Sequence, residues 1–367
     1  MGLLTVLTKP RFTLAMISLS REAKRLGKPW DDYVSGAALR ARMVTLRHPS
    51  RWGLPAEWDI TDEPFVTDPD LAAALAARRK GDWKPVARVL ESIGTDWARR
   101  AHAVDLLAAH TWSDRTSWLD KWLTAEPESP DAAVVRLGWL VAHAWVLRGA
   151  DRAHNTSAEQ FAGFHRVLRT AVEQAKRASA LAPDDPTPRQ HFLTIARGLG
   201  FPPARFPELW ADLLRCDPSH RGGHRHALQY WRPHWYGSYP KMFAFADEAA
   251  AKSPALASVR IVAAVEACED HPDTWRAPEL AQAVDTTLAW VDGDGDGADS
   301  PTVREDRALL AVALVELRRY DEALAQFRVL DRNADASVWG RLWGDERMGF
   351  TYTRARAYQH VRPTTVD

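Results

Sequence analysis

Apolar residues at three- and four-residue spacing, cut at intervals by proline-marked turns, are the feature that most constrains this chain. The turn Ala182-Pro183-Asp184-Asp185-Pro186 is followed by Asp217-Pro218 and then Ser253-Pro254, about 35 residues apart each time. Each closes an amphipathic stretch that ends in small or aliphatic residues: Ala178-Ser179-Ala180-Leu181, Leu213-Leu214-Arg215-Cys216 and Ala249-Ala250-Ala251-Lys252. Each also opens another such stretch. Proline cannot continue the first helix and is tolerated in the opening turn of the next. An earlier turn, Glu126-Pro127-Glu128-Ser129-Pro130, ends a helix over 117–125. No window alternates with period two, and Val-, Ile- and Thr-rich runs bounded by turn residues are lacking. The expected fold class is all-α.

A second kind of joint lies inside each pair of helices. Arg79-Lys80-Gly81-Asp82-Trp83 separates apolar stretches at 71–77 and 86–93, and Arg318-Arg319-Tyr320-Asp321 separates 309–317 from 323–329. The pattern reads as about eight helical hairpins, beginning near residues 69, 97, 130, 186, 219, 255, 304 and 335. One hairpin cannot bury its apolar face alone, whereas stacked neighbours can, so an irregular α-solenoid is expected. Residues 1–66, with Trp30, Trp52 and Trp58 among Gly and Pro, are read as an N-terminal cap over the open end of the stack. Residues 67–290 carry the first hairpins, 291–303 form a Gly- and Asp-rich linker, and 304–367 hold the last hairpins.

The segment from Leu310 to Phe327 resembles a tetratricopeptide repeat (TPR). Small residues stand where its two helices would cross, Tyr320 is at the turn, and Ala323 and Phe327 lie on the second helix. The stretch from Ala178 to Pro186 looks like the end of one such repeat and the start of another. A narrower resemblance runs through His220-Arg221-Gly222-Gly223-His224, Leu228-Gln229-Tyr230, Trp235-Tyr236-Gly237-Ser238 and Met242-Phe243-Ala244-Phe245-Ala246. It is similar to a bacterial family of TPR-like proteins sharing a His-Gln-Trp-Gly-Ser pattern. That resemblance implies a TPR-like bacterial protein and no particular activity.

Composition narrows the function classes. Hydrophobic residues at 46% and charged residues at 26% exclude wholesale disorder. Forty-eight basic residues balance 48 acidic ones, leaving no net field to draw nucleic acid or an anionic membrane. The basic residues Arg40, Arg42, Arg47 and Arg51 are offset by Asp59, Asp62 and Glu63. Two cysteines, Cys216 and Cys268, cannot form a disulfide framework, and a reducing compartment is expected. At the start, Lys9, Pro10 and Arg11 interrupt the apolar stretches, against the order of a secretory signal, and Val6 stands where myristoylation needs Ser or Thr. The apolar stretch 134–147 carries Arg136 and His143 and is too short to span a bilayer. A cytoplasmic protein is expected.

The richest segment for chemistry is 216–241, which holds Cys216, His220, His224, His226 and His234, with Trp231 and Trp235 between them. His220 and His224, four residues apart, share a helix face, the arrangement of a metal-ligand pair, although further ligands would have to come from elsewhere. Capping and lining of the helix by the same two rings is the alternative. His224 and His234 are the candidate acid or base, Gln229 and Arg232 the candidate orienting groups, and Trp231 and Trp235 the candidate walls of a ligand pocket. Ser238-Tyr239-Pro240-Lys241 fits the Ser-x-x-Lys pattern of an activated serine, but its partner motifs are missing. Gly237, permitting an unusual backbone angle, and Ser238 as an N-cap make a helix entrance the simpler reading. The run Asp292-Gly293-Asp294-Gly295-Asp296-Gly297 resembles the start of a calcium loop, yet Val303 stands where the bidentate Glu belongs and Glu305 comes two residues late.

Seventeen tryptophans are well above ordinary usage. Trp97, Trp112, Trp118, Trp122, Trp139 and Trp145 crowd one stretch; Trp118 shares a helix face with Trp122, and Trp139 with His143. A buried indole N–H needs a partner, so some of these rings are expected on a cavity or concave surface. Phosphate-loop, dinucleotide-binding, His-Glu-x-x-His and Gly-x-Ser-x-Gly motifs are all missing, and no cofactor is named. The leading expectation is a helical-repeat protein presenting a Trp- and His-lined surface to a peptide or protein partner. The alternative is a small-molecule enzyme or ligand-binding protein with a pocket around 112–145 and 216–241, in a metal-dependent form if His220 and His224 act as ligands.

Overall fold

The computed structural model describes residues 10–25, 27, 29–30, 49–109, 117–149, 156–293 and 300–363. Among them are 17 α-helices and no strand; the one isolated bridge joins Thr61 and Asn333. The chain divides into two compact units. One holds residues 66–263 with 300–302. The other holds the described residues up to 65, those of 264–298 and those from 303 onward.

The first unit begins with α1's successors in the chain: α1 is Pro10–Arg25, and α2 (Pro69–Arg79) opens the 66–263 stretch. Asp68 caps α2 by accepting from the amides of Asp70 and Leu71, with Pro69 in the first turn. Gly81, at φ 82°, turns the chain into α3 (Lys84–Ile93), whose Val86, Val89, Leu90 and Ile93 form one buried stripe. After α4 (Trp97–Ala108) and α5 (Ser117–Ala125), α6 (Pro130–Arg148) is apolar on nearly every side. Gly138 lets α4 come close, since a Cβ there would lie 3.0 Å from Ala108 Cβ. The long α7 (Ala158–Leu181) starts from a Ser157–Gln160 capping box and buries Phe164, Leu168, Ala171, Ala175 and Ala178. α8 (Thr187–Leu199) lies against α7, α6 and α4. α9 (Phe206–Cys216), α10 (Arg221–Tyr230), α11 (Tyr239–Lys252) and α12 (Ser258–Ala267) follow, with α10 against both α8 and α4.

α8 is buried along most of its length although its sequence is polar. Thr187, Arg189, Gln190, His191 and Thr194 are all buried. Arg100 of α4, itself 5% exposed, explains the arrangement. Its Nε donates to Asp185 Oδ2 at 2.7 Å, and its Nη2 donates to Asp131 in the first turn of α6. The other oxygen of Asp185 accepts the Thr187 amide at 2.8 Å, so one guanidinium ties together the starts of α6 and α8.

In the second unit, α13 (Pro278–Asp292) and α14 (Pro301–Glu316) are followed by α15 (Tyr320–Leu330), α16 (Ser337–Trp343) and α17 (Glu346–Tyr358). The break between α14 and α15 carries Arg318 at φ 61°. Phe327 stacks on Trp339 at 5.9 Å and meets Phe350 edge-on at 5.1 Å. The described part of the first 65 residues packs against this group. Trp52 stacks on Tyr358 at 4.8 Å and donates its indole N–H to the Val361 carbonyl at 2.9 Å, and Arg354 donates to Pro55 O at 3.0 Å.

The first acid of the calcium-like run, and the Glu that comes two residues too late for it, are both engaged. Asp292 accepts from Arg307 at 3.0 Å, and Glu305 accepts the Ser337 hydroxyl at 2.6 Å; residues 294–297 lie outside the described residues. So do Arg40, Arg42, Arg47 and Trp112. Among the described residues, no helix is long and apolar enough to cross a membrane.

Removing Arg100 leaves the buried carboxylate of Asp185 without its counter-charge. Arg100→Met is expected to cost about 3–5 kcal/mol in urea unfolding, and adding Asp185→Asn to recover part of that loss.

Candidate functional site

The residue pattern of α9 to α11 builds a pocket. Phe206 and Trp210 fall one turn apart on α9; Phe245, Glu248, Ala249 and Lys252 fall along one face of α11. With Pro207, His224 of α10 and Trp231 at its end, they line a cavity of about 230 Å³. Trp210 stands edge-on to His224 (4.7 Å) and to Phe245 (5.5 Å), and Phe206 edge-on to Trp231 (4.9 Å). Such edge-to-face contacts hold the walls in a fixed geometry. Glu248 and Lys252, one turn apart, pair at 2.7 Å.

The two histidines four residues apart serve the start of α10. His220 is its N-cap, and its Nδ1 accepts the Gly223 amide at 3.0 Å. His224 Nδ1 lies 2.9 Å from the His220 carbonyl. Both Nδ1 atoms are thus committed to backbone groups, as the capping alternative required. Among the described residues, no group of three or more His, Cys, Asp or Glu side chains is placed to hold a metal ion.

The structure brings His224 and Trp231 into the pocket and places the other expected site residues elsewhere. His234 is exposed. Gln229 accepts from Arg232 at 2.8 Å. Trp235 meets Trp145 edge-on at 6.0 Å, with the Arg197 guanidinium over both rings, 4.9 Å from the Trp145 centroid and 5.3 Å from that of Trp235. Trp139 and His143 stack on each other at 4.9 Å on α6, with Arg136 over Trp139 at 5.0 Å. Ser238 caps α11 by accepting the Lys241 amide. Gly237 is needed for close approach and not for an unusual angle: its φ is not positive, and a Cβ would fall 1.9 Å from the Trp231 carbonyl oxygen. Phe206, Trp210, Glu248 and Lys252 were not singled out by the sequence, where an amphipathic spacing is their only signal.

A second group of polar residues, also unmarked by any motif, runs through α4, α8 and α10. His191 Nε2 is 3.9 Å from Asp105 Oδ1, too far for a hydrogen bond, and Thr194 Oγ1 is 3.1 Å from His226 Nδ1. Burial is the chief cause that holds His191 and His224 down to about 4 and His226 to about 3. His226 keeps some contact with water, which softens its contribution. Burial pushes Asp105 the other way, up to about 7. Its side chain is nevertheless 55% exposed, and water on that face hydrates the charged form and limits the rise.

No family model, no curated protein and no solved structure matches the chain.

Neutral buried histidines have a thermodynamic consequence. Below pH 6.5 the unfolded chain takes up protons that native His191 refuses until about pH 4, so this contribution to stability is complete above pH 6.5 and lost as pH falls through that window. The raised Asp105 opposes it more weakly. The melting temperature is expected to fall from about pH 6.5 to 4.5, and His191→Gln to flatten the fall by removing up to about 3 kcal/mol of pH-dependent stability. A wild-type slope retained in that variant would refute the assignment.

Proposed function

We propose that this chain is a TPR-like helical-repeat binding protein that holds a peptide or protein partner by seating one partner side chain in the pocket of Phe206, Trp210, His224, Trp231 and Phe245. The pocket carries this reading: a cavity of about 230 Å³ suits one large side chain, and its ring walls are the residue types that dominate interface energies. The contacts of α6 with α7, of α7 with α8 and of α8 with α9 support stacked hairpins. The TPR resemblance at 310–327 supports the same build. A neutral chain offers no field for nucleic acid or a membrane surface, and we place its action in the cytoplasm. The same cavity suits a free small molecule, which is the second reading.

An array of immobilised random peptides tests this directly. The full chain is expected to select peptides sharing one large side chain. Phe245→Ala is expected to weaken the selected interactions by tenfold or more. Trp58→Ala, at a ring 77% exposed in the other unit, is expected to leave them unchanged. Equal loss in both variants, or none in Phe245→Ala, rejects the pocket as the binding site.

A further inference from the structure

The chemistry of the pocket floor narrows what can enter. The His220 carbonyl only accepts, so His224 Nδ1, 2.9 Å from it, carries the ring hydrogen. In the neutral ring Nε2 then holds a bare lone pair, at the end of the imidazole away from its backbone attachment. No group among the described residues takes that lone pair. His224 is 1% exposed and lines the cavity, and its Nε2 is not among the fully buried side-chain atoms that lack a partner. His224 therefore offers the cavity one acceptor and no donor.

The walls set the remaining terms. Phe206, Trp210, Trp231 and Phe245 present ring edges and faces, which favour a flat aromatic guest. Glu248 and Lys252 bind each other at 2.7 Å and together add no net charge. Pockets for drug-sized ligands begin at about 300 Å³, so the smaller space here suits one ring or two fused rings. We infer that the pocket takes a flat, uncharged ring bearing an N–H or O–H group, an indole or a phenol, whose hydrogen is donated to Nε2 of His224. In a peptide partner that group is a tryptophan or tyrosine side chain. This inference rests on the pocket being the binding site, as proposed above.

A ring without the donor would seal the Nε2 lone pair away from water unpaired, and that loss is what discriminates between guests. The test uses the full chain at pH 7 and four free probes: indole, 1-methylindole, phenol and toluene. Affinities are read by calorimetry, and the His224 Nε2 resonance is followed by ¹⁵N NMR. Indole is expected to bind about tenfold more tightly than 1-methylindole, and phenol about tenfold more tightly than toluene, with the Nε2 resonance moving only for the two donors. His224→Phe is expected to abolish both preferences, and the wild-type ratios stand without it should that variant fail to fold. Equal affinities within each pair, or an Nε2 resonance that stays put with indole, overturn the donor assignment and leave the pocket reading intact. If none of the four binds, both readings fall.

Discussion

Arg100 is the interaction on which the helical arrangement of residues 66–263 turns. A guanidinium at 5% exposure has lost its hydration, and only well-placed carboxylates make that tolerable. Asp131 and Asp185 supply them from the starts of α6 and α8, so a residue of α4 fixes where two other helices begin. Arg189 repeats the device one turn into α8, donating to the Ala182 and Asp185 carbonyls and pairing with Asp212 at 3.2 Å. Pinned in this way, α8 runs through the interior with a polar surface that hydrophobicity alone would have turned outward.

The polar side chains carried inward must then find partners or remain neutral. Thr194 finds His226, and Asp185 finds both Arg100 and an amide. Thr187 Oγ1, Gln190 Oε1, His191 Nε2 and His220 Nε2 are buried without a hydrogen-bond partner. Each such atom costs about 1–3 kcal/mol relative to a satisfied one, which the apolar cluster around Val134, Leu137, Phe164 and Trp122 offsets. Charge on the histidines would cost more still, and their suppressed basicity follows from the same burial.

The helices themselves were legible because helix punctuation is local. Gly81 and the Arg318–Arg319 step mark breaks that need only their own backbone angles, and Pro130 stands at a helix start where its missing N–H does no harm, whereas the helix start at Pro301 falls inside the stretch read as linker. His224 and Trp231 were legible as pocket residues from their density alone. The pocket's other walls were not, since Phe206 and Trp210 one turn apart read as an ordinary core stripe until a third helix leaves space beside them. The inward turn of α8 was invisible for the opposite reason: a polar helix reads as a surface helix, and its burial depends on Arg100, 85 residues from Asp185. At Gly237 the residue was right and its physical use was not, because left-handed angles and close approach select glycine alike.

Tryptophan abundance follows from the same accounting of polar atoms. An indole inside a helical core brings a large apolar area and one N–H that must be met. Trp122 meets it with Glu126 on the next turn and Trp52 with a backbone carbonyl, whereas Trp145, Trp290 and Trp339 bury Nε1 without a hydrogen-bond partner. A chain using 17 such rings cannot satisfy them all in a dry interior built from helices whose own backbone groups are already paired. Half-burial relieves the conflict: the ring face packs while the N–H edge stays near water. Trp210, Trp231 and Trp235 are all half-buried, and two of them stand around the one floor atom, His224 Nε2, that still has a lone pair to offer. The pocket is therefore where large rings pack at the surface around one acceptor, His224 Nε2, that no described group takes.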